Sequence, residues 1–359
     1  MKRIIISVTN DLFSDQRVLK VAHSCYNNGY DVLLIGRKNK ISQPLNLPFK
    51  YKLLRLFFNR SALFYAEFNI RLFFVLLFSR VNILLANDTD SLPANFLVSK
   101  IRRKKLVFDA HEIFPELPEL AHRKKIKRVW EKIEDWIFPR LKYSYTVCKS
   151  ISDYYNQKYN INMKVVRNVP YNFKYNETKL LSYPGRKIII YQGALNFGRG
   201  LEWIIDAMPL VENAILVIIG DGGILNELKE RVSNLNLNEK VFFLGRISGS
   251  ELYKYTPSAD LGLCLLKNRG LNYYYSLPNR IFDYLHAGVP VLATDFPEIA
   301  NIVKKYNTGV LINRYNPEYL AGVLNDFFAK EFDTSHFPET AMQFCWENEE
   351  KILLEIIDY

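Results

Sequence analysis

Short β-branched runs alternate with longer stretches of helical periodicity along the whole chain. In the first half, Ile4 to Val8, Val32 to Ile35, Ile83 to Ala86 and Leu106 to Phe108 predict strands. Between the first two, Val18, Leu19, Ala22, Cys25 and Tyr26 recur at helical spacing, and Gly29 stands where a left-handed cap ends a helix. Strand, helix, strand in this order predicts a parallel crossover. After an irregular stretch from Val169 to Arg186, rich in Asn, Tyr and Pro, the pattern restarts. Strands are predicted at Ile188 to Tyr191, Leu216 to Ile219, Val241 to Leu244, Leu261 to Leu265, Val291 to Ala293 and Val310 to Ile312, with helices such as Leu201 to Met208 and Ile224 to Val232 between them. This is an α/β pattern of two doubly wound, Rossmann-like domains, residues 1–167 and 168–338, with a last helix over 339–357 placed to cross back onto the first.

Length agrees, since 359 residues exceed what one hydrophobic core usually fills. An apolar fraction of 49% with 24% charged residues fits an ordinary globular protein and excludes a disordered or polytopic membrane chain. Cys25, Cys148, Cys264 and Cys345 lie far apart with no Cys-x-x-Cys pair, and Asn10, Asp11 and Asp15 end the first apolar run too early for a secretory leader. A cytoplasmic location is expected.

Charge changes the picture. Residues 1–150 carry 27 Lys and Arg against 13 Asp and Glu, and the remainder 21 against 24. So large an asymmetry points the first domain at a polyanion, an anionic membrane or nucleic acid, against the simpler reading of a solvated basic surface. The bases cluster at Arg102-Arg103-Lys104-Lys105 and Arg123-Lys124-Lys125 without any nucleic-acid motif, so nucleic acid is not expected. No run reaches the roughly 18 to 20 apolar residues of a bilayer span. The nearest, Leu72 to Phe78 between Arg71 and Arg80, predicts a helix only about 10 Å long. Its surroundings, from Lys52 through Arg80, mix Phe, Leu and Arg with almost no acid, a composition that fits a helix lying in a membrane interface and equally a core-facing helix.

Candidate chemistry concentrates in Tyr273-Tyr274-Tyr275-Ser276-Leu277-Pro278-Asn279-Arg280-Ile281-Phe282-Asp283-Tyr284-Leu285-His286-Ala287-Gly288-Val289-Pro290-Val291. It reads as a loop ending at Pro278-Asn279, a helix from Asn279 to Ala287, a glycine stop and a buried strand. A helix start of this kind presents free N–H groups and a positive dipole end to a phosphate. Arg280 adds a cation in the first turn and Asp283 a carboxylate for ribose hydroxyls. No metal is expected: His23, His111, His122, His286 and His336 are scattered, and Asp88-Thr89-Asp90 reads as a strand-end pair that caps the following helix rather than as ligands. Gly220-Asp221-Gly222-Gly223 is no dinucleotide fingerprint, because the required third glycine position holds Leu225.

The same segment resembles the nucleotide-binding helix of the family 4 glycosyltransferases, which usually reads Leu-Pro-Asn-Lys-Ile-Phe-Glu-Tyr followed by Ala-Gly-x-Pro-Val. Tyr191-Gln192-Gly193-Ala194-Leu195-Asn196-Phe197-Gly198-Arg199-Gly200-Leu201 is similar to that family's donor-phosphate loop, and Val217-Ile218-Ile219-Gly220-Asp221-Gly222 and Val241-Phe242-Phe243-Leu244-Gly245-Arg246 to its next two strand ends. Phe108-Asp109-Ala110-His111-Glu112 and Asp15-Gln16-Arg17-Val18 resemble motifs of its first domain. Departures are specific. Tyr275 and Asp283 stand where many members carry two glutamates, Ala194 where many carry Arg, and the turn Thr9-Asn10-Asp11-Leu12-Phe13-Ser14 lacks the usual glycine pair.

The resemblance implies a GT-B fold, two Rossmann-like domains facing across a cleft, and a retaining transferase of cell-surface polysaccharide or glycolipid synthesis. A nucleotide-sugar donor would bind the second domain and a glycan or lipid-linked acceptor the first, with no cofactor. It implies catalytic roles for His111, Arg199 and Arg280, and donor contacts from Gly193, Asn196, Gly200, Gly222, Arg246, Tyr275, Ser276, Leu277, Pro278, Asn279 and Asp283. His111 reads either as a donor-sugar contact or as a structural histidine. A non-catalytic GT-B partner at the membrane and a GT-B nucleotide-sugar epimerase are the rival readings.

Overall fold

A computed structural model describes every residue except 11, 14, 40–45, 121, 173–179 and 359. Two positions of the first turn and part of the irregular stretch after Val169 therefore lie outside the described residues. The chain divides into two units, Met1–Asn168 with Asn348–Tyr359, and Val169–Glu347.

In the first unit, strands β1 (Arg3–Ser7), β2 (Asp31–Arg37), β3 (Lys50–Leu54), β4 (Ile83–Asn87), β5 (Lys105–Ala110), β6 (Tyr143–Thr146) and β7 (Lys164–Val165) form a sheet in the order β3-β2-β1-β4-β5-β6-β7. All its pairs are parallel. The central strands β1 and β4 are buried on both faces and accordingly carry the unbroken runs Ile4-Ile5-Ile6 and Ile83-Leu84-Leu85-Ala86. Strands β3, β6 and β7 were not expected from the pattern. Lys50–Leu54 alternates Lys with Tyr and Leu at an edge, Tyr143–Thr146 is polar by composition, and Lys164–Val165 is two residues long, so none carries a hydrophobic run.

The stretch from Lys52 to Arg80, expected as an interfacial or a core-facing helix, is the end of β3 followed by a helix over Ser61–Phe78. That helix corrects the expectation that no segment is long enough to span a bilayer. It is 18 residues with a mean hydropathy of 1.5, sufficient by length and composition alone, and 22% of it is buried. Glu67 and Arg71 interrupt the apolar run in sequence, but Glu67 is tied down, accepting from the Phe57 and Phe58 N–H groups at 2.9 Å and from Arg71 Nε at 2.8 Å. Phe64, Phe68, Leu72 and Leu76, four residues apart, form a buried stripe, of which Phe68, Leu72 and Leu76 pack with Ile5, Ile35, Leu84 and Val98.

In the second unit, β8 (Lys187–Gln192), β9 (Ala214–Ile219), β10 (Val241–Gly245), β11 (Leu261–Cys264), β12 (Val291–Thr294) and β13 (Gly309–Ile312) make an all-parallel sheet ordered β10-β9-β8-β11-β12-β13. The strand order reverses between β8 and β11 here, and between β1 and β4 in the first unit. In open α/β sheets such a switch point, at the carboxyl ends of the strands, is where ligands bind.

The expected last helix is two helices, Phe337–Gln343 and Trp346–Asp358. The break lies where Phe344 and Cys345 turn inward and are buried. Residues from Asn348 onward group with the first unit, where Glu349 accepts from Arg167 at 3.0 Å and the Ile357 carbonyl accepts from Lys105 Nζ at 2.8 Å.

Candidate functional site

At the switch point of the second unit, β8 ends at Gln192 and the chain turns back through Gly193 at φ 136°. This turn lies on the turn after β9 backbone to backbone. Gly193 N–H donates to the Ile219 carbonyl at 2.9 Å, Leu195 N–H to that of Asp221 at 3.0 Å, and Ile224 N–H to that of Leu195 at 3.1 Å. Contact this close excludes side chains. A Cβ on Gly220 would fall 1.9 Å from the Gly193 carbonyl oxygen, and one on Gly222 2.4 Å from that of Leu195. Gly222, expected as a donor contact, thus has a packing reason of its own.

Arg280 comes up beneath this turn. Its guanidinium lies 4.4 Å from the Tyr191 ring centroid and 3.1 Å from where a Gly193 Cβ would stand, and its buried Nη1 has no hydrogen-bond partner among the described residues. Burial works against the charge, but Tyr191, Cys264 and Tyr284 outweigh it and hold the pKa above the usual arginine value. The helix that carries Arg280, Arg280–His286, is pinned to the sheet by the Tyr284 hydroxyl, 3.3 Å from the carbonyls of both Ile190 and Leu263.

Arg199 sits in the turn before the helix Leu201–Ala207. Its guanidinium stacks 5.4 Å over the Tyr273 ring, and its buried Nε also lacks a protein partner. Gly200, at φ 70°, is buried against Leu265 and Trp203. At the end of β11, burial pushes the Cys264 thiol up to about 11 while the charges of Arg280 and Arg199 pull it down. Both charges are thus felt at one strand end.

Asp283 Oδ2 lies 3.4 Å from Gln192 Nε2, and Gln192 is itself held by Thr256, whose hydroxyl donates to Oε1 at 2.8 Å. Ser276 donates from its hydroxyl to the Tyr273 carbonyl at 2.8 Å, Leu277 is buried, and the carbonyls of Pro278 and Asn279 accept the first-turn N–H groups of the helix. Tyr275 packs on Tyr274 with ring centroids 5.4 Å apart. Asn196 and Arg246 are exposed on the turns after β8 and β10.

Sequence reasoning missed Lys267, Arg269 and Gln192 as site residues. Arg269 stacks 4.7 Å and Lys267 5.0 Å over the Phe197 ring, and Lys267 also pairs with Glu202 at 3.3 Å. The available signal was Lys267-Asn268-Arg269-Gly270, two bases immediately beyond a buried strand.

His111 belongs to the first unit, at the end of β5, and is best described there. Its Nε2 lies 3.1 Å from Asp109 Oδ2 and its Nδ1 3.2 Å from Asp88 Oδ2, while its own backbone N–H donates to Asp88 Oδ1 at 2.8 Å. Arg17 clamps Asp109 with Nε and Nη2, both at 2.8 Å. Burial opposes ionisation of Asp109, yet Arg17 and then His111 hold it at about 2; the imidazole is held well above its ordinary value, Asp88 and Asp109 outweighing burial. Across the switch point, the Thr9 hydroxyl donates to Asp90 Oδ2. Burial, with Asp88 adding to it, pushes the Asp90 carboxyl up to about 8. The expected capping by Asp88 and Asp90 is not what these side chains do: the residue before the helix is Asn87, without a side-chain cap, and the two carboxylates turn to His111 and Thr9.

Two parallel-sheet α/β units, each built around its switch point, are the fold of the GT-B glycosyltransferases. Residues 173–343, which make up most of the second unit, match the family described as Glycosyl transferases group 1. An uncharacterized glycosyltransferase of Methanocaldococcus jannaschii is 28% identical over 170 residues, covering 45% of this chain and 42% of that protein. The alpha-monoglucosyldiacylglycerol synthase of Streptococcus pneumoniae is 28% identical over 159 residues, 43% of this chain and 34% of that protein. The matches thus span less than half of these relatives' own length. The fold is similar along its whole length to sucrose-phosphate synthase from Thermosynechococcus elongatus, with a TM-score of 0.78, 14% identity and coverage of 100% and 98%.

Proposed function

We propose that this chain is a glycosyltransferase that moves a sugar from a nucleotide diphosphate donor to a glycan or lipid-linked acceptor, with retention of anomeric configuration. The observation that carries the reading is the pair of arginines whose charges both act on the end of β11, each with a buried guanidinium nitrogen that no group among the described residues satisfies. A buried donor of this kind costs roughly 1 to 3 kcal/mol unless a ligand meets it. A diphosphate supplies acceptor oxygens and opposite charge together. In this reading Arg199 and Arg280 neutralise the leaving diphosphate without a metal, and Asp283, oriented by Gln192, takes the ribose hydroxyls.

The name of the streptococcal relative denotes a glycolipid product, which supports a lipid-linked acceptor. The basic first unit and its exposed apolar helix face support a place at the inner, anionic surface of the cell membrane.

A melting-temperature screen against nucleoside diphosphates, then their sugars, tests the donor half. A ligand at about 100 times its dissociation constant stabilises by roughly 2.7 kcal/mol. No shift with any nucleoside diphosphate would sink the reading, and binding without donor hydrolysis or transfer would replace it with the non-catalytic partner.

A further inference from the structure

We propose that Asp88 is a positioning residue that, together with Asp109, fixes His111 as a doubly donating cation, so that His111 acts on a bound sugar or phosphate through its charge and never as a proton acceptor. The functional half of this statement rests on the transferase reading; the ionic state of His111 does not.

Geometry decides the point first. An imidazole accepts a proton only through a ring nitrogen with a free lone pair. Nδ1 and Nε2 of His111 each face a carboxylate oxygen, at 3.2 and 3.1 Å, and a carboxylate has only lone pairs to offer. Both nitrogens must then carry hydrogen. The neutral tautomers each set one bare nitrogen against an anionic oxygen.

The carboxylates are themselves fixed. Asp109 is fully buried and clamped by the Arg17 guanidinium, whose Nη1 also donates to the Val166 carbonyl at 2.9 Å. Asp88 is held differently. Its backbone sits at φ 59°, a left-handed conformation uncommon for a side chain other than Asn or Asp. Asp88 is the first residue of the helix Asp88–Ile101, and no side-chain cap bond forms at Asn87 before it. What the conformation accomplishes is to swing the carboxylate over β5, so that Oδ1 takes the His111 backbone N–H and Oδ2 the ring. Local strain of this kind persists where the surroundings over-determine it.

The groups that face His111 are thus Asp88 and Asp109 directly, Arg17 behind Asp109, and Asp90 at longer range. Two carboxylates in direct contact with the ring outweigh the one guanidinium, which shares Asp109 Oδ2 with it, and leave the balance on the side of the charged ring.

Long-range 1H–15N spectra of the full chain with labelled histidine read this directly, with His111→Gln assigning the signal. In the wild type both ring nitrogens of His111 are expected to stay protonated through pH 8. Asp88→Asn keeps the left-handed backbone and the side-chain size but removes the charge, and is expected to lower the His111 midpoint by at least one pH unit. Should that variant fail to fold, Asp88→Gly, which also accepts positive φ, serves the same purpose. A neutral His111 ring at pH 7.5 in the wild type, or a midpoint unmoved in a folded Asp88 variant, would overturn the proposal. In the functional arm, the rate of donor hydrolysis is expected to show no His111 titration between pH 6 and 8 in the wild type and to acquire one in Asp88→Asn. A wild type that turns over no donor defeats the transferase reading while leaving the spectra to decide the state of His111.

Discussion

The Arg280 guanidinium lies over the Tyr191 ring, 4.4 Å from its centroid, with Nη1 unsatisfied among the described residues and Nη2 3.1 Å from where a Gly193 Cβ would stand. Stacking of this sort uses the planar face of the guanidinium and leaves its edge for a bidentate partner, a division of labour a lysine does not offer. Arg280→Ala is therefore expected to weaken donor binding roughly 10- to 100-fold, the equivalent of about 1.5 to 3 kcal/mol for a charged hydrogen bond. Arg280→Lys should recover only a minor part of that loss. Calorimetric titration with the nucleotide found in the screen measures both, and wild-type affinity in Arg280→Ala would remove the residue from the site. Arg199→Ala should behave alike, since its Nε is buried without a partner in the same way.

Asp283 is the second test of the donor site. Gln192 reaches its Oδ2 from β8, and Thr256 holds Gln192, so the carboxylate has a fixed orientation before any ligand arrives. Asp283→Asn is expected to lose about tenfold in nucleotide affinity, as removing one charged acceptor costs on the order of 1.5 kcal/mol. Asp283→Glu should crowd the site and gain nothing. Unchanged affinity in the Asn variant would show that the ribose is held elsewhere.

How much of this was legible in the chain follows from where the signals are local. The buried parallel strands declare themselves because burial on both faces demands unbroken runs such as Ile4-Ile5-Ile6, and ten strands were placed on that ground. Lys50–Leu54, Tyr143–Thr146 and Lys164–Val165 were invisible because edge or polar strands need no such run. The donor helix and its Arg280 were readable as a loop-to-helix pattern within about twenty residues. The network around His111 was not, because Arg17, Asp88 and Asp109 are brought together only by the adjacency of β1, β4 and β5. Spacing suggested a helix cap for Asp88. Only the left-handed backbone reveals that the side chain turns the other way.

The Asp90 carboxyl makes a prediction about stability and pH. Its folded-state pKa, raised to about 8 by burial and by Asp88, exceeds the unfolded value, so between about pH 4 and 8 the folded state holds a proton that the unfolded state has released. That contribution stabilises at low pH and is lost as pH rises through 8. Asp90→Asn, neutral and of the same shape, is expected to be more stable than the wild type at pH 8 by on the order of 1 to 3 kcal/mol, and to lose the advantage toward pH 4. Chemical denaturation at the two pH values measures the difference. An advantage that does not depend on pH would mean that Asp90 ionises normally.

The last prediction concerns the helix Ser61–Phe78. Its buried stripe is narrow, and the opposite side leaves Leu63, Ile70 and Phe74 more than half exposed, with Phe78 at 81% and the nearby Phe57 at 83%. Lys52, Arg55, Arg60 and Arg80, in the segments that flank the helix in sequence, are exposed as well. Burying one such side chain in a lipid interface contributes roughly 1.5 to 3 kcal/mol, and each nearby base about 1 kcal/mol against an anionic surface. The apolar part should therefore set whether the first unit binds at all, and the charged part which lipids it prefers. Flotation with anionic vesicles is expected to recover the protein at low salt and less of it at high salt, because only the second contribution is screened. Phe74→Ser combined with Phe78→Ser should abolish recovery in both, without unfolding, since neither side chain is in the buried stripe. Equal recovery with neutral vesicles would defeat the charge preference, and no recovery with either kind would remove the membrane from the proposed function.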